Sequence, residues 1–155
     1  MEKSPWMRHK FFSKLFYLDN TTNKLYNTIT TNKLYKFCTL EHNMKVHTYE
    51  NANGKDLIRK YIDRLSLKEQ VDGYSVLQAM EEDRMDTLNI KPWQGKIWEV
   101  YFYKHNRIFY VTIEKKDIYL LHACRKQKNK TEITDKNIVI ARAKELGKIL
   151  NKSFV

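Results

Sequence analysis

The chain has 155 residues, a net charge of +11 and 13% aromatic residues, enough for one packed domain with a real core. No apolar run approaches the roughly 18 residues of a membrane span, so the sequence reads as no membrane protein. The N-terminus lacks a small-residue cleavage site, and two cysteines, Cys38 and Cys124, make neither a disulfide framework nor a CxxC pair. A reduced, cytoplasmic protein is expected. The five histidines lack metal-ligand spacing, so neither metal nor cofactor is expected. Charge is uneven: residues 1–43 hold 7 Lys/Arg against 3 Asp/Glu, residues 44–90 hold 7 against 9, and residues 91–155 hold 15 against 6. The basic last third calls for an anionic partner, nucleic acid or an acidic protein.

Residues 1–43 differ from the rest. TTNKLY occurs at Thr21–Tyr26 and again at Thr30–Tyr35, a unit too short for a solenoid. The segment reads as an N-terminal extension to a domain spanning residues 44–155. Two readings of it stand: an alternative start at Met44, or a true N-terminal region with a helix around Trp6–Tyr17.

From Met44 onward the pattern is regular. Lys45–Tyr49 alternates as a short strand, and Asn51–Gly54 is a turn. Leu57, Ile58, Tyr61, Ile62 and Leu65 fall at helical spacing, predicting a helix over about Lys55–Leu65. Ser66 and Glu69 form a capping-box pattern opening a second helix that carries Val71, Tyr74, Leu77 and Met80. Gly73 weakens that helix by about 1 kcal/mol relative to Ala. EEDRMDTLNIKPWQGK reads as a loop. Three strands follow, over Ile97–Tyr103, Arg107–Glu114 and Ile118–Cys124, with turns at Lys104–Arg107 and Lys115–Asp117. On the first, Trp98, Val100 and Phe102 share one face, and Glu99, Tyr101 and Tyr103 the other. Val139, Ala143, Leu146 and Leu150 mark a C-terminal helix over about Asp135–Asn151, with Thr134 or Asp135 as N-cap. The expected fold class is α+β: an antiparallel β-meander packed on two N-terminal helices, plus a C-terminal helix. The second sheet face should carry Glu99, Tyr101 and the charged strand ends.

The apolar strand ending LLHAC runs into Arg125, Lys126, Lys128 and Lys130. Such a burst of charge at a strand end is either a solvated loop or a polyanion site. Tyr101, Tyr103 and Tyr110 are candidates for stacking on bases. Strand parity groups His122 with Leu120 and Cys124, in the core.

Four strings in this order resemble the RelE superfamily of toxins from bacterial toxin–antitoxin pairs, and within it the HigB-like, phage-derived branch. They are GKDLIRKYIDRLS (Gly54–Ser66), KIWEVYF (Lys96–Phe102), NRIFYVTI (Asn106–Ile113) and YLLHACRKQKNKT (Tyr119–Thr131). Trp98, Glu99, Val100, Arg107, His122, Lys126, Lys130 and Thr131 match the family pattern. Tyr101 stands where the family usually has Arg, Ala123 and Cys124 replace Gly and an aromatic, and Glu132 replaces Pro. The resemblance implies a RelE-like fold and a messenger-RNA endoribonuclease acting on the ribosome. It also implies a cognate, HigA-like helix-turn-helix antitoxin as partner.

RNA can be cut without a metal, because its own 2′-hydroxyl attacks the adjacent phosphorus. The enzyme then positions the groups, moves two protons and neutralises the phosphorane. Arg107, Arg125, Lys126 and Lys130 are the candidate cations, and Glu99 and Tyr101 the candidate proton-transfer groups. His122, Lys128, Tyr103 and Lys96 are candidate substrate contacts. A non-catalytic RNA- or ribosome-binding module remains the alternative. A DNA-binding regulator is disfavoured, because no helix-turn-helix pattern is visible.

Overall fold

The computed structural model describes residues 44–114, 116–126 and 132–155. The readings for residues 1–43 and the residues Lys115, Lys128, Lys130 and Thr131 lie outside the described residues. In chain order the elements are β1 (Lys45–Thr48), α1 (Leu57–Ile62), α2 (Leu67–Glu81), a 3₁₀ turn (Met85–Thr87), β2 (Asn89–Gln94), β3 (Ile97–Phe102), β4 (Asn106–Ile113), β5 (Asp117–Arg125) and α3 (Ile133–Leu150).

Local chemistry accounts for these boundaries. The Asp56 carboxylate caps α1, accepting from the backbone N–H groups of Ile58 and Arg59 at 2.9 Å each. The capping box at Ser66 forms: Glu69 accepts from the Ser66 backbone N–H at 3.1 Å and from its hydroxyl at 2.7 Å. For α3 the N-cap is Glu132, whose side chain makes no capping bond, not Thr134 or Asp135. The Asp135 carboxylate instead points at the sheet and accepts from His122.

The expected meander exists as β3, β4 and β5, inside a larger mixed sheet of order β1-β5-β4-β3-β2. Strand β1 pairs in parallel with β5, and the remaining pairs are antiparallel. Strand β2 corrects the loop reading of EEDRMDTLNIKPWQGK. Its NIKPWQ alternates poorly because it is an edge strand, carries Pro92 and is irregular between Pro92 and Gln94. A proline within a ladder is tolerated only where its missing N–H would have faced solvent.

The sheet is covered on both faces. On one, Ile58, Ile62, Val76, Leu77 and Met80 of α1 and α2 pack on Val100, Phe102, Ile108, Tyr110, Ile118 and Leu120. On the other, Val139, Ala143 and Leu146 of α3, with Phe154, pack on Ile97, Phe109, Val111 and Leu121. The α3 stripe is as the spacing predicts. The α2 stripe is so only in part: Leu77 and Met80 are buried as predicted, but Val71 and Tyr74 are exposed, and Gly73 and Val76 face inward instead. Gly73 sets that rotation. A Cβ there would lie 2.9 Å from Cε2 of Phe102 and 3.2 Å from Cγ2 of Ile62, so the absent side chain lets the helix approach the sheet.

Candidate nucleic-acid interface

Cross-strand register builds two rows of side chains on the α3 face of the sheet. Lys91, Glu99, Phe109 and His122 are successive partners across β2, β3, β4 and β5. Asn89, Tyr101, Arg107 and Cys124 form the next row. Within the β3–β4–β5 ladders strand parity fails at one place. Phe109 faces His122 but Tyr110 faces Leu120, so Leu121 is the extra residue of a bulge. The bulge turns both Leu121 and His122 toward α3, so His122 shares a face with Cys124 as parity predicts but not with Leu120.

At the centre is a buried ion pair. Arg107 Nη1 donates to Glu99 Oε2 at 3.1 Å, with the two side chains 3% and 9% exposed. Burial works to lower the Arg107 guanidinium, but Cys124 and Glu99 outweigh it, and its pKa is raised. The Tyr101 hydroxyl donates to the other oxygen of Glu99. Burial, followed by the neighbouring Glu99, pushes Tyr101 up to about 12. Lys126 leaves the end of β5 with its backbone N–H bonded to His105 O at 2.6 Å, and its Nζ lies 5.5 Å from the centre of the Tyr101 ring. Lys91 Nζ lies 5.2 Å from the same ring centre.

Beneath α3 lies a second group. His122 Nε2 donates to Asp135 Oδ1 at 2.8 Å, and Arg142 Nη1 stands 3.5 Å from His122 Nδ1 while donating to Leu121 O at 2.7 Å. A carboxylate on one side and a guanidinium on the other fix the tautomer: Nε2 carries the proton and Nδ1 accepts. Burial, the leading cause, and the charge of Arg142 lower the His122 pKa. His122 is therefore a neutral brace between β5 and α3, with both ring nitrogens engaged. Cys124 is pushed up to about 12, first by burial and then by Asp135, and remains a thiol.

Ligating atoms of His122, Cys124 and Asp135 all lie within 4.8 Å of one another. Folding thus gathers a trio that sequence spacing hid. Arg107 contacts the thiol and Arg142 the imidazole. Two guanidiniums already supply the positive charge that a metal ion would bring.

The other predicted site residues divide sharply. Arg125 points to the opposite face, where it donates to Glu69 Oε1 on α2. Asn106 Nδ2 donates to that same oxygen at 3.0 Å, while Asn106 Oδ1 accepts from the Tyr61 hydroxyl at 2.7 Å. Hydrogen bonds from Ser66, then Asn106, hold Glu69 at about 2. Arg125 is thus tied into the packing of α2 rather than joined to Arg107. Tyr103 is exposed in the β3–β4 turn, where it and Lys104 take positive φ values of 34° and 53°. Tyr110 is buried on the α1–α2 face and has no free ring to offer a base. Lys96 sits at the other end of β3, its N–H bonded to Phe154 O at 2.9 Å; five residues of strand put it about 17 Å from Tyr101. The structure therefore brings Glu99, Tyr101, Arg107 and Lys126 together, and leaves Arg125, Tyr103 and Lys96 apart.

Sequence reasoning missed Lys91, Asp135 and Arg142. Lys91 was hidden by the loop reading of β2. Asp135 and Arg142 stand four before and three after Val139, on the same face of α3, so a polar residue on a buried stripe was the signal.

The model of the family described as Phage derived protein Gp49-like (DUF891) matches residues 60–144, more than half of the chain. The chain belongs to that family. The match runs from the end of α1 into α3 and contains every residue of both rows on the α3 face. Gp49-like proteins are a toxin-like family, for which a partner antitoxin is implied. A comparison with curated proteins returns no match. Among the described residues, no helix of this Gp49-like protein is long and apolar enough to cross a membrane.

Proposed function

We propose that this Gp49-like protein is the toxin of a toxin–antitoxin pair, an endoribonuclease that cuts messenger RNA on the ribosome and so stops translation. In this reading residues 44–155 are the toxin domain, of the RelE-like fold and HigB-like branch, and it acts in the cytoplasm. One observation carries the chemistry. The Tyr101 hydroxyl donates to the Glu99 carboxylate under the Lys126 ammonium, on the strand ends of a basic face.

That arrangement suits transfer of the 2′-hydroxyl proton. Tyrosinate is disfavoured at neutral pH because Tyr101 is raised to about 12. A relay avoids it: the 2′-hydroxyl gives its proton to the Tyr101 oxygen as the Tyr101 proton passes to Glu99. The O2′–P bond forms and the P–O5′ bond breaks. Lys126 neutralises the phosphorane and gives a proton to O5′, leaving a 2′,3′-cyclic phosphate and a 5′-hydroxyl. Arg107 keeps Glu99 oriented and desolvated. The nucleophile belongs to the substrate, so the residues present suffice for the reaction.

In a reconstituted translation system, purified protein is expected to produce cuts within messenger RNA ending in 2′,3′-cyclic phosphates, and Lys126→Ala to abolish them. Intact messenger RNA with and without ribosomes would refute the enzyme reading. The second reading, a non-catalytic RNA- or ribosome-binding module, is favoured by Tyr101 standing where the resembling family has Arg. It predicts ribosome binding without cleavage. An HigA-like antitoxin is expected to cover the same basic face and to block cutting when added first.

A further inference from the structure

The geometry points to Lys91 as a second phosphate-binding group of the same site, gripping the RNA backbone beside Lys126; this rests on the RNA reading above. Lys91 lies on the exposed edge strand β2, directly opposite Glu99 in the β2–β3 ladder. Lys91 is exposed, and its ammonium stands 5.2 Å from the centre of the Tyr101 ring, against 5.5 Å for Lys126. The electron-rich ring attracts both ammoniums, and their distances to its centre leave them no more than about 11 Å apart. Two cations within that reach suit a chain of anions that can meet each of them. Among the described residues Lys91 makes no ion pair, so its charge is not spent internally. A phosphodiester backbone, with a charge at each nucleotide, satisfies both ammoniums at once. A free phosphate satisfies only a shared point between them.

The bland reading of an edge-strand lysine is that it blunts the sheet edge against pairing with other chains. The salt dependence of binding separates the two. For single strands, each phosphate neutralised contributes about 0.7 to the slope of log K against log salt. The full chain is titrated with a 2′-O-methyl oligoribonucleotide, which binds but cannot be cut, between 50 and 200 mM salt. Lys91→Gln is expected to lower the slope by about 0.7, so that the parent loses about 2.6-fold more affinity than the variant over that range. The weakening should be the same for oligonucleotides of different sequence, and Lys91→Arg should restore the slope. Lys68→Gln, an equal charge change on the exposed side of α2, should leave it unaltered. Inorganic phosphate at the same ionic strength should compete no better than sulfate; specific competition by phosphate would replace the backbone by a free-anion site.

A parent-like slope for Lys91→Gln, or an equal fall for Lys68→Gln, overturns the role of Lys91 while leaving the RNA reading intact. If the parent chain binds the oligonucleotide with a Lys91-dependent slope but never cuts unmodified RNA, the second grip stands and catalysis falls. If the parent does not bind, both fall.

Discussion

Arg107→Met tests whether the centre of the site is held by charge pairing. The Arg107 and Glu99 side chains are 3% and 9% exposed, so removing the guanidinium leaves a carboxylate in the sheet with Tyr101 as its remaining hydrogen-bond donor among the bonds described above. Breaking one partner of a buried pair costs about 3–5 kcal/mol. The open edge near Tyr101 lets water reach one side, which favours the lower end, about 3 kcal/mol. With an m-value of about 2 kcal/mol/M, the urea midpoint should fall by about 1.5 M. The double variant Glu99→Leu/Arg107→Met removes both charges and should recover most of that loss, because a hydrophobic replacement of a buried pair is often neutral or stabilising. The assay is urea unfolding followed by far-UV circular dichroism for the parent, each single variant and the double variant. A loss below about 1 kcal/mol for Arg107→Met would refute the reasoning, since it would place Glu99 in contact with water. The double variant also separates fold from function: a stable protein that no longer cuts RNA is expected, because the carboxylate that ends the proton relay is gone.

Other changes probe neighbouring links. Lys126→Ala should lower kcat about 10²–10³-fold in the ribosome cleavage assay, the scale of one lost transition-state charge partner, with ribosome binding largely kept. Tyr101→Phe should lower kcat about 10²–10⁴-fold by breaking the relay, while urea unfolding moves by about 1 kcal/mol or less. Gly73→Ala should destabilise by about 1 kcal/mol, because overpacking against Phe102 and Ile62 outweighs the gain in helix propensity; a stabilised variant in thermal melts would refute the packing argument. For Glu69, the folded-state pKa of about 2 lies below the unfolded value, so its stabilisation is present above the unfolded pKa and fades as pH falls toward 2. Glu69→Gln should therefore be less stable than the parent at pH 7 and converge with it near pH 2, as read by unfolding at successive pH values.

The parts of this protein legible in its sequence are those with a strong apolar signal. The strands β4 and β5 read as apolar runs because helices cover both faces of the sheet, and the stripe Val139, Ala143, Leu146 repeats cleanly because it meets a single layer. Three features escaped, each for a physical reason. Strand β2 is half exposed and carries Pro92, so its residues lack the contrast that marks a strand; Lys91 was lost with it. The rotation of α2 was hidden because Leu67, Val71 and Tyr74 form as regular an apolar stripe as the buried one. What chooses between the stripes is the room that Gly73 leaves for Phe102, a contact across 29 positions of sequence. The third is the bulge at Leu121, which puts His122 on the face opposite Leu120 while keeping it with Cys124.

The same logic sorts the basic run after LLHAC. Cys124, Arg125 and Lys126 are consecutive, yet alternation sends the first to Arg107, the second to Glu69 on α2 and the third back over Tyr101. A charge run therefore does not act as a block. Of these three residues, Cys124 and Lys126 reach the α3 face and Arg125 does not. By parity alone Lys128 and Lys130 would follow Lys126 toward the RNA, though a bulge or turn beyond Lys126 would undo that assignment as Leu121 undid it between Leu120 and His122. Lys128→Gln and Lys130→Gln each lowering the salt slope by about 0.7, with Arg125→Gln leaving it unchanged, would support the parity rule; a fall for Arg125→Gln would refute it.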